Sequence, residues 1–148
     1  VVFKLAGDSQ DPGYEAELQQ RFGHLPNLHM LGFIDQFEDA RLSALYEESW
    51  VMVNTAAREG LPNSFIEAAG HACAIVSELD PDQFTSRFGA IASGGDYATA
   101  LANLLEQERW KTAGAAGREY VLATNAPPIA IQAHIDVYRQ ALAERQKR

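Results

Sequence analysis

The stretch Arg58-Glu59-Gly60-Leu61-Pro62-Asn63-Ser64-Phe65-Ile66-Glu67-Ala68-Ala69 decides how this chain is read. It follows an apolar run, Trp50 to Asn54 (WVMVN), and a loop from Thr55 to Pro62. A helical pattern beginning at Asn63 or Ser64 and reaching about His71 comes next. The segment is therefore a hand-over from a strand to a helix. Gly60 lets a ligand approach the backbone closely, Pro62 stiffens the turn, and Asn63 or Ser64 is a preferred N-cap. The free amides of the first helical turn then face the carboxyl edge of the sheet, where the helix dipole favours an anion such as a diphosphate. Glu59 and Glu67 would repel such an anion. As ligand groups they make sense only as acceptors for hydroxyls, and sugar and ribose diols offer these. Each also has a plainer reading. Ser64-Phe65-Ile66-Glu67 has the spacing of a capping box, each half of which contributes about 1 kcal/mol or less. Glu59 reads equally as a solvated loop carboxylate.

Outward from this segment the pattern repeats. Val1 to Ala6 reads as a buried strand stopped by Gly7, Tyr14 to Phe22 as a helix, and Asn27 to Ile34 as a second strand. Glu38 to Ser49 places Leu42, Leu45 and Tyr46 at helical spacing. Trp50 to Asn54 is apolar on both faces, as a central parallel strand covered by helices would be. Ala74 to Ser77 (AIVS) is the fourth strand. Glu78 to Gly89 reads as irregular or as one short helix, and Ala90 to Ala92 as a short edge strand. Three helices follow, at about Asp96 to Gln107, Glu108 to Ala123 and Pro128 to Arg145. Short strands alternating with helices mean an α/β domain with a mostly parallel sheet and right-handed crossovers. Ligands of such sheets bind outside the carboxyl ends of the strands, so the loops after Ala6, Ile34, Asn54 and Ser77 are where a site is expected.

Composition narrows the function. The 148 residues, 47% of them hydrophobic, suit one domain with an ordinary core. A net charge of −8 excludes a surface built to neutralise a nucleic-acid backbone. No run approaches the ~20 apolar residues needed to cross a bilayer, and the N-terminus lacks the layout of a signal peptide, so the chain reads as cytoplasmic. The single cysteine, Cys73, excludes an internal disulfide, and four scattered histidines give no metal-ligand spacing. Metal-independent chemistry without a cofactor is the expectation. Cys73 beside a strand reads as a small buried hydrophobe, Trp50 and Trp110 as core and helix-face aromatics, and His71 as a partner of Glu67 or a helix-end cap. Gly114-Ala115-Ala116-Gly117 lies within a helical region with no preceding strand and is not a dinucleotide fingerprint.

Two glutamates separated by seven residues around a Gly- and Pro-containing turn, Glu59 to Glu67 followed by Ala68, resemble the C-terminal, nucleotide-sugar-binding domain of the retaining GT-B group-1 glycosyltransferases. Leu5-Ala6-Gly7, Met30-Leu31-Gly32-Phe33-Ile34, Leu45-Tyr46, Val51-Met52-Val53-Asn54, Ile75-Val76-Ser77, Phe88-Gly89, Gly94-Gly95-Asp96 and Ala115-Ala116-Gly117-Arg118 fall in family order. The resemblance spans about residues 3 to 122. It implies a Rossmann-like parallel sheet flanked by helices. It also implies that Glu59 accepts hydrogen bonds from donor-sugar hydroxyls and Glu67 from the ribose. The amides of Gly60, Leu61, Pro62-Asn63 and Ser64 would approach sugar and diphosphate, while Gly7 and Ile34 line the phosphate and base regions. The partners implied are a nucleotide sugar and an N-terminal acceptor-binding domain of the same enzyme, without which the domain alone would not transfer sugar. A sugar-nucleotide epimerase on the same fold, or a non-catalytic nucleotide-binding or assembly module, are the alternatives.

Three departures from the family pattern matter. The family's Gly-x-Pro before the fourth strand is replaced by Ala72, Cys73 and Ala74. An Ala in a left-handed cap costs about 1 kcal/mol relative to Gly, so a differently built turn is expected. Where many members carry Gly-Gly and Glu after the next strand, this chain reads Asp80-Pro81-Asp82-Gln83, which makes Asp82 either a donor-site group or a surface acid. Finally, the family's first strand, with its diphosphate-neutralising Arg and Lys, has no counterpart here. It would lie in the middle of the sheet, beside the strands at Val1 and Trp50. Exposed strand edges, and a surface for self-association or for a covering segment, are expected there.

Overall fold

A computed structural model of the chain describes residues 1–9, 11–35 and 40–145. They form two units, Val1–Leu45 and Tyr46–Arg148. In the first, strand β1 (Phe3–Ala6) and strand β2 (Leu28–Gly32) pair in parallel, with Phe3 opposite Leu28. Helix α1 (Pro12–Phe22) connects them, and its N-cap Asp11 accepts the Gly13 amide at 2.8 Å. The turns leaving the strands use Gly7 at φ +149° and Gly32 at φ +68°, and the Gly7 amide donates to the Gly32 carbonyl at 2.9 Å. The sequence led to a buried first strand, but every residue of β1 is exposed, and no described residue of this unit is buried. Two strands and one crossover helix cannot cover both faces of either strand. Helix α2 spans Arg41–Glu47; the Glu38 at which the sequence begins it lies outside the described residues.

The second unit is built on a three-stranded parallel sheet in the order β3-β4-β5, with β3 at Val51–Asn54, β4 at Ala74–Ser77 and β5 at Gly89–Ile91. β4 is fully buried, and side-chain alternation divides the core across it. Cys73 and Ile75 pack with Phe65, Ala68 and Ala69 of helix α3 (Asn63–Gly70), with Phe84 and Phe88 of helix α4 (Phe84–Phe88), and with Val121 of helix α6 (Arg109–Thr124). Ala74 and Val76 pack on the other face with Ala92 and with Ala100 and Leu104 of helix α5 (Tyr97–Leu105). Helix α7 (Pro127–Arg145) follows. No helix among the described residues is long and apolar enough to cross a membrane.

Several local expectations need correction. Among the described residues of the second unit β3 pairs with β4 alone and is an edge strand of the three-stranded sheet, where the sequence read it as a central strand. Trp50 is 52% exposed and stacks on Trp110, with centroids 5.0 Å apart and planes 6° apart, so it is not a core aromatic. The Ala72 turn keeps the left-handed geometry, with φ at +63°. The Cys73 amide donates to the Ala68 carbonyl and the Ala72 amide to the Ala69 carbonyl, both at 2.9 Å, which is the Schellman closure of α3. The close contact that holds this turn comes from α6. A Cβ at Gly114 would sit 1.9 Å from the Ala72 carbonyl oxygen. The Gly114 to Gly117 run is thus a helix-packing surface.

Candidate functional site

Parallel pairing brings three loops to one edge. Asn54 lies opposite Ser77, and Ser77 opposite Ile91, so the segments after β3, β4 and β5 all leave the same carboxyl end of the sheet. The first carries Glu59 to Ser64, the second carries Asp82, and the third leads to Asp96, which caps α5 by accepting the Thr99 amide at 3.0 Å. That hydrogen bond holds the exposed Asp96 carboxyl below the usual carboxylate range.

The start of α3 is built differently from the sequence expectation. Pro62, not Asn63 or Ser64, is the N-cap, with extended φ −63° and ψ 139° and no side-chain cap hydrogen bond. Its carbonyl accepts the Phe65 amide at 3.0 Å. Asn63 and Ser64 therefore occupy the first two helical positions, and their amides have no capping oxygen. The chain reaches the helix by a short route: the Asn54 side chain accepts the Ala56 amide at 2.9 Å and turns the backbone off the strand. Gly60 is not in the left-handed region, and a Cβ placed on it would meet nothing within 4 Å. The folded chain does not need a glycine there; a ligand lying against the backbone would.

Glu67 is released from the helix terminus by the same shift. With Pro62 as N-cap the capping box cannot form, because Ser64 is already inside the helix. The Glu67 carboxylate instead accepts the Tyr46 hydroxyl at Oε2, 3.4 Å away. The Tyr46 ring stacks on His71, with centroids 5.7 Å apart and planes 18° apart. The His71 amide donates to the Glu67 carbonyl at 3.2 Å, but its ring is directed to a different carboxylate. His71 is the C-cap residue of α3, and its Nδ1 lies 3.9 Å from Glu47 Oε1. Burial first, then the Glu67 carboxylate, push the Tyr46 hydroxyl up to about 12. The fully buried Cys73 thiol, pushed up to about 11 by burial, donates to the carbonyls of Tyr46 and Ser49 at 3.2 and 3.3 Å. It is the inert packing group that its position suggested.

Glu59 is exposed and makes no hydrogen bond or ion pair among the described residues. Asp82 stands at the tip of a pinned loop. Ser77 Oγ accepts the Leu79 amide at 3.1 Å, Thr85 donates to the Leu79 carbonyl at 2.6 Å, and Asp80 accepts the Ser86 amide at 2.9 Å. Asp82 and Gln83 both take left-handed conformations, at φ +52° and +61°. Leu61 is half-buried and packs against the core beneath α3, and Pro62 is buried. The sequence-derived residues thus divide: Glu59 through Ser64, Glu67 and Asp82 belong to the second unit, while Gly7 and Ile34 follow β1 and β2 in the first. Tyr46 is the residue that sequence reasoning missed. Its helical spacing marked it as apolar packing, and nothing local ties it to a carboxylate 21 positions later.

Comparison with known proteins bears on the fold and the family. No curated protein matches the sequence significantly. Among solved structures, AviGT4, a glycosyltransferase involved in avilamycin A biosynthesis, superposes with a TM-score of 0.65 at 16% sequence identity. The alignment covers 96% of this chain and 44% of that one, so the chain spans less than half the length of the enzyme it matches. The likeness is one of fold: parallel sheets flanked by helices. The sequence model of the family described as glycosyl transferases group 1 matches residues 1–107, which include both glutamates and the turn between them. The chain belongs to the group 1 glycosyl transferases.

Proposed function

We propose that this chain is the donor-binding part of a retaining glycosyltransferase that takes a sugar from a nucleoside-diphosphate sugar, with the acceptor held by a separate N-terminal domain. The observation that carries the reading is the state of α3: its first-turn amides lack a side-chain cap, and its Glu67 is freed from capping. The Asn63 and Ser64 amides suit the diphosphate, because an uncapped helix N-terminus presents N–H donors and a positive dipole end to an anion. Glu67 suits the ribose hydroxyls and Glu59 the hydroxyls of the sugar. Gly60 lets the sugar or diphosphate lie against the backbone, Gly7 and Ile34 serve the phosphate and base regions, and Asp82 reaches the sugar from the next loop.

The chemistry follows from this placement. As the bond between the anomeric carbon and the phosphate oxygen breaks, negative charge develops on the leaving diphosphate. Fixed amides aimed at it stabilise that charge without reorganising. Neither glutamate is assigned acid or base work; both orient the donor, so that the sugar meets the acceptor in a reactive geometry. No metal is assigned, and the single buried cysteine suits the reducing cytoplasm.

Titration of the full-length protein with uridine, guanosine and adenosine diphosphates tests the reading. One of them should bind, and Glu67→Gln should weaken it about 10-fold or more, the effect of losing a charged acceptor. Absence of binding to all three by a folded sample would favour a non-catalytic assembly module instead.

A further inference from the structure

Tyr46 has more constraints on it than a packing aromatic needs. It lies four residues before Trp50, at the approach to the amino end of β3, whereas α3 begins beyond the carboxyl end of that strand. Its ring stacks on the C-cap residue of α3, at the end of that helix away from the N-terminus. Three contacts fix it. Its carbonyl accepts both the Cys73 thiol at 3.2 Å and the Ser49 amide at 3.0 Å, its ring stacks on His71, and the residue packs against the buried cluster that includes Phe65 and Cys73. Held in this way, the hydroxyl donates to one oxygen of the carboxylate, Oε2, 3.4 Å away. Oε1 has no donor among the described residues. A glutamate side chain has three rotatable bonds and loses their freedom when it binds a ligand; a fixed donor on one oxygen removes part of that loss beforehand.

We propose that Tyr46 is a positioning residue for Glu67: its hydroxyl anchors Oε2 and so presents Oε1 as the acceptor for the ribose 2′-hydroxyl of the nucleotide. This rests on the ribose role given to Glu67 above. The raised titration of the phenol supports it, since a hydroxyl that stays protonated through neutral and mildly alkaline pH remains a donor to the carboxylate. The arrangement favours a nucleotide with a ribose over its 2′-deoxy counterpart, because the deoxy form leaves the prepared oxygen unpaired.

The test is the ratio of affinities for the preferred nucleoside diphosphate and its 2′-deoxy form, measured by calorimetry on the full-length protein and on Tyr46→Phe and Glu67→Gln. Tyr46→Phe keeps the ring, its stacking and its packing, and removes only the donor. The proposal expects it to lower the ribose-to-deoxyribose ratio about 5-fold, and Glu67→Gln to lower it at least as far. A packing role for Tyr46 would weaken both nucleotides equally and leave the ratio unchanged; that result, with the ratio still sensitive to Glu67→Gln, overturns the proposal and spares the reading of Glu67. A ratio unaffected by Glu67→Gln overturns both.

Discussion

Glycine and alanine positions separate what the fold requires from what a ligand would require. Gly114 is fixed by the fold, because a methyl there would collide with the Ala72 carbonyl. Gly114→Ala should destabilise the chain by about 2 to 3 kcal/mol, as overpacking against backbone does, and urea unfolding measures this. Gly60 has open space around it, so Gly60→Ala should leave the unfolding midpoint unchanged while weakening nucleotide-sugar binding. Ala72 is the converse case. It holds φ +63° in a complete Schellman turn, and Ala72→Gly should stabilise by up to about 1 kcal/mol in the same unfolding measurement. From sequence, the loss of the family's glycine suggested a rebuilt turn. The structure shows instead that two backbone hydrogen bonds and the close approach of α6 outweigh the strain at one residue.

Titration at the residue scale has a definite sign. The Tyr46 hydroxyl is shifted from 10.0 up to about 12, so folding favours its neutral form. Its contribution to stability is complete below pH 10, the pKa it has when unfolded, and is lost as pH rises from there through about 12. Tyr46 should ionise late in a spectrophotometric titration of the folded protein, and Tyr46→Phe should remove that late step. An unchanged late step in the variant would assign it elsewhere.

At the scale of elements, burial differs sharply between strands. β4 is wholly buried with helices on both faces, whereas β1 is exposed along its length. Hydrogen exchange should therefore protect β4 amides far longer than those of β1, because local opening is easiest where few apolar contacts must be broken. This contrast also marks where the sequence could and could not be read. Among the described residues, the five strands and six of the seven α-helices were legible because apolar runs alternate with helical spacing, and their bounds agree within a few residues; Phe84–Phe88 falls in a segment that read as irregular or as one short helix. Burial was less legible. Val1 to Ala6 and Trp50 to Asn54 have the composition of interior strands, but composition states what a strand can be packed against, not what covers it. The N-cap of α3 was misplaced for a related reason. Asn63 and Ser64 have the better capping side chains, yet the extended conformation that Pro62 brings to the junction makes Pro62 the cap, while the helix itself starts at Asn63 as its pattern suggested.

For the molecule as a whole, the central claim is that the segment from Glu59 to Glu67, at the carboxyl edge of the β3-β4-β5 sheet, grips a nucleotide sugar with its two carboxylates on different parts of the donor. The spacing and the family were legible before the structure. The freedom of Glu67 from capping, and its contact with Tyr46, were not, since both depend on residues brought together by the fold. The most direct measurement is the affinity of the full-length protein and of its Glu59→Ala variant for two ligands: the preferred nucleoside diphosphate and the corresponding nucleotide sugar. The account predicts that the variant binds the bare diphosphate as well as the parent does but loses the additional affinity conferred by the sugar. Equal affinity of parent and variant for the nucleotide sugar would contradict it.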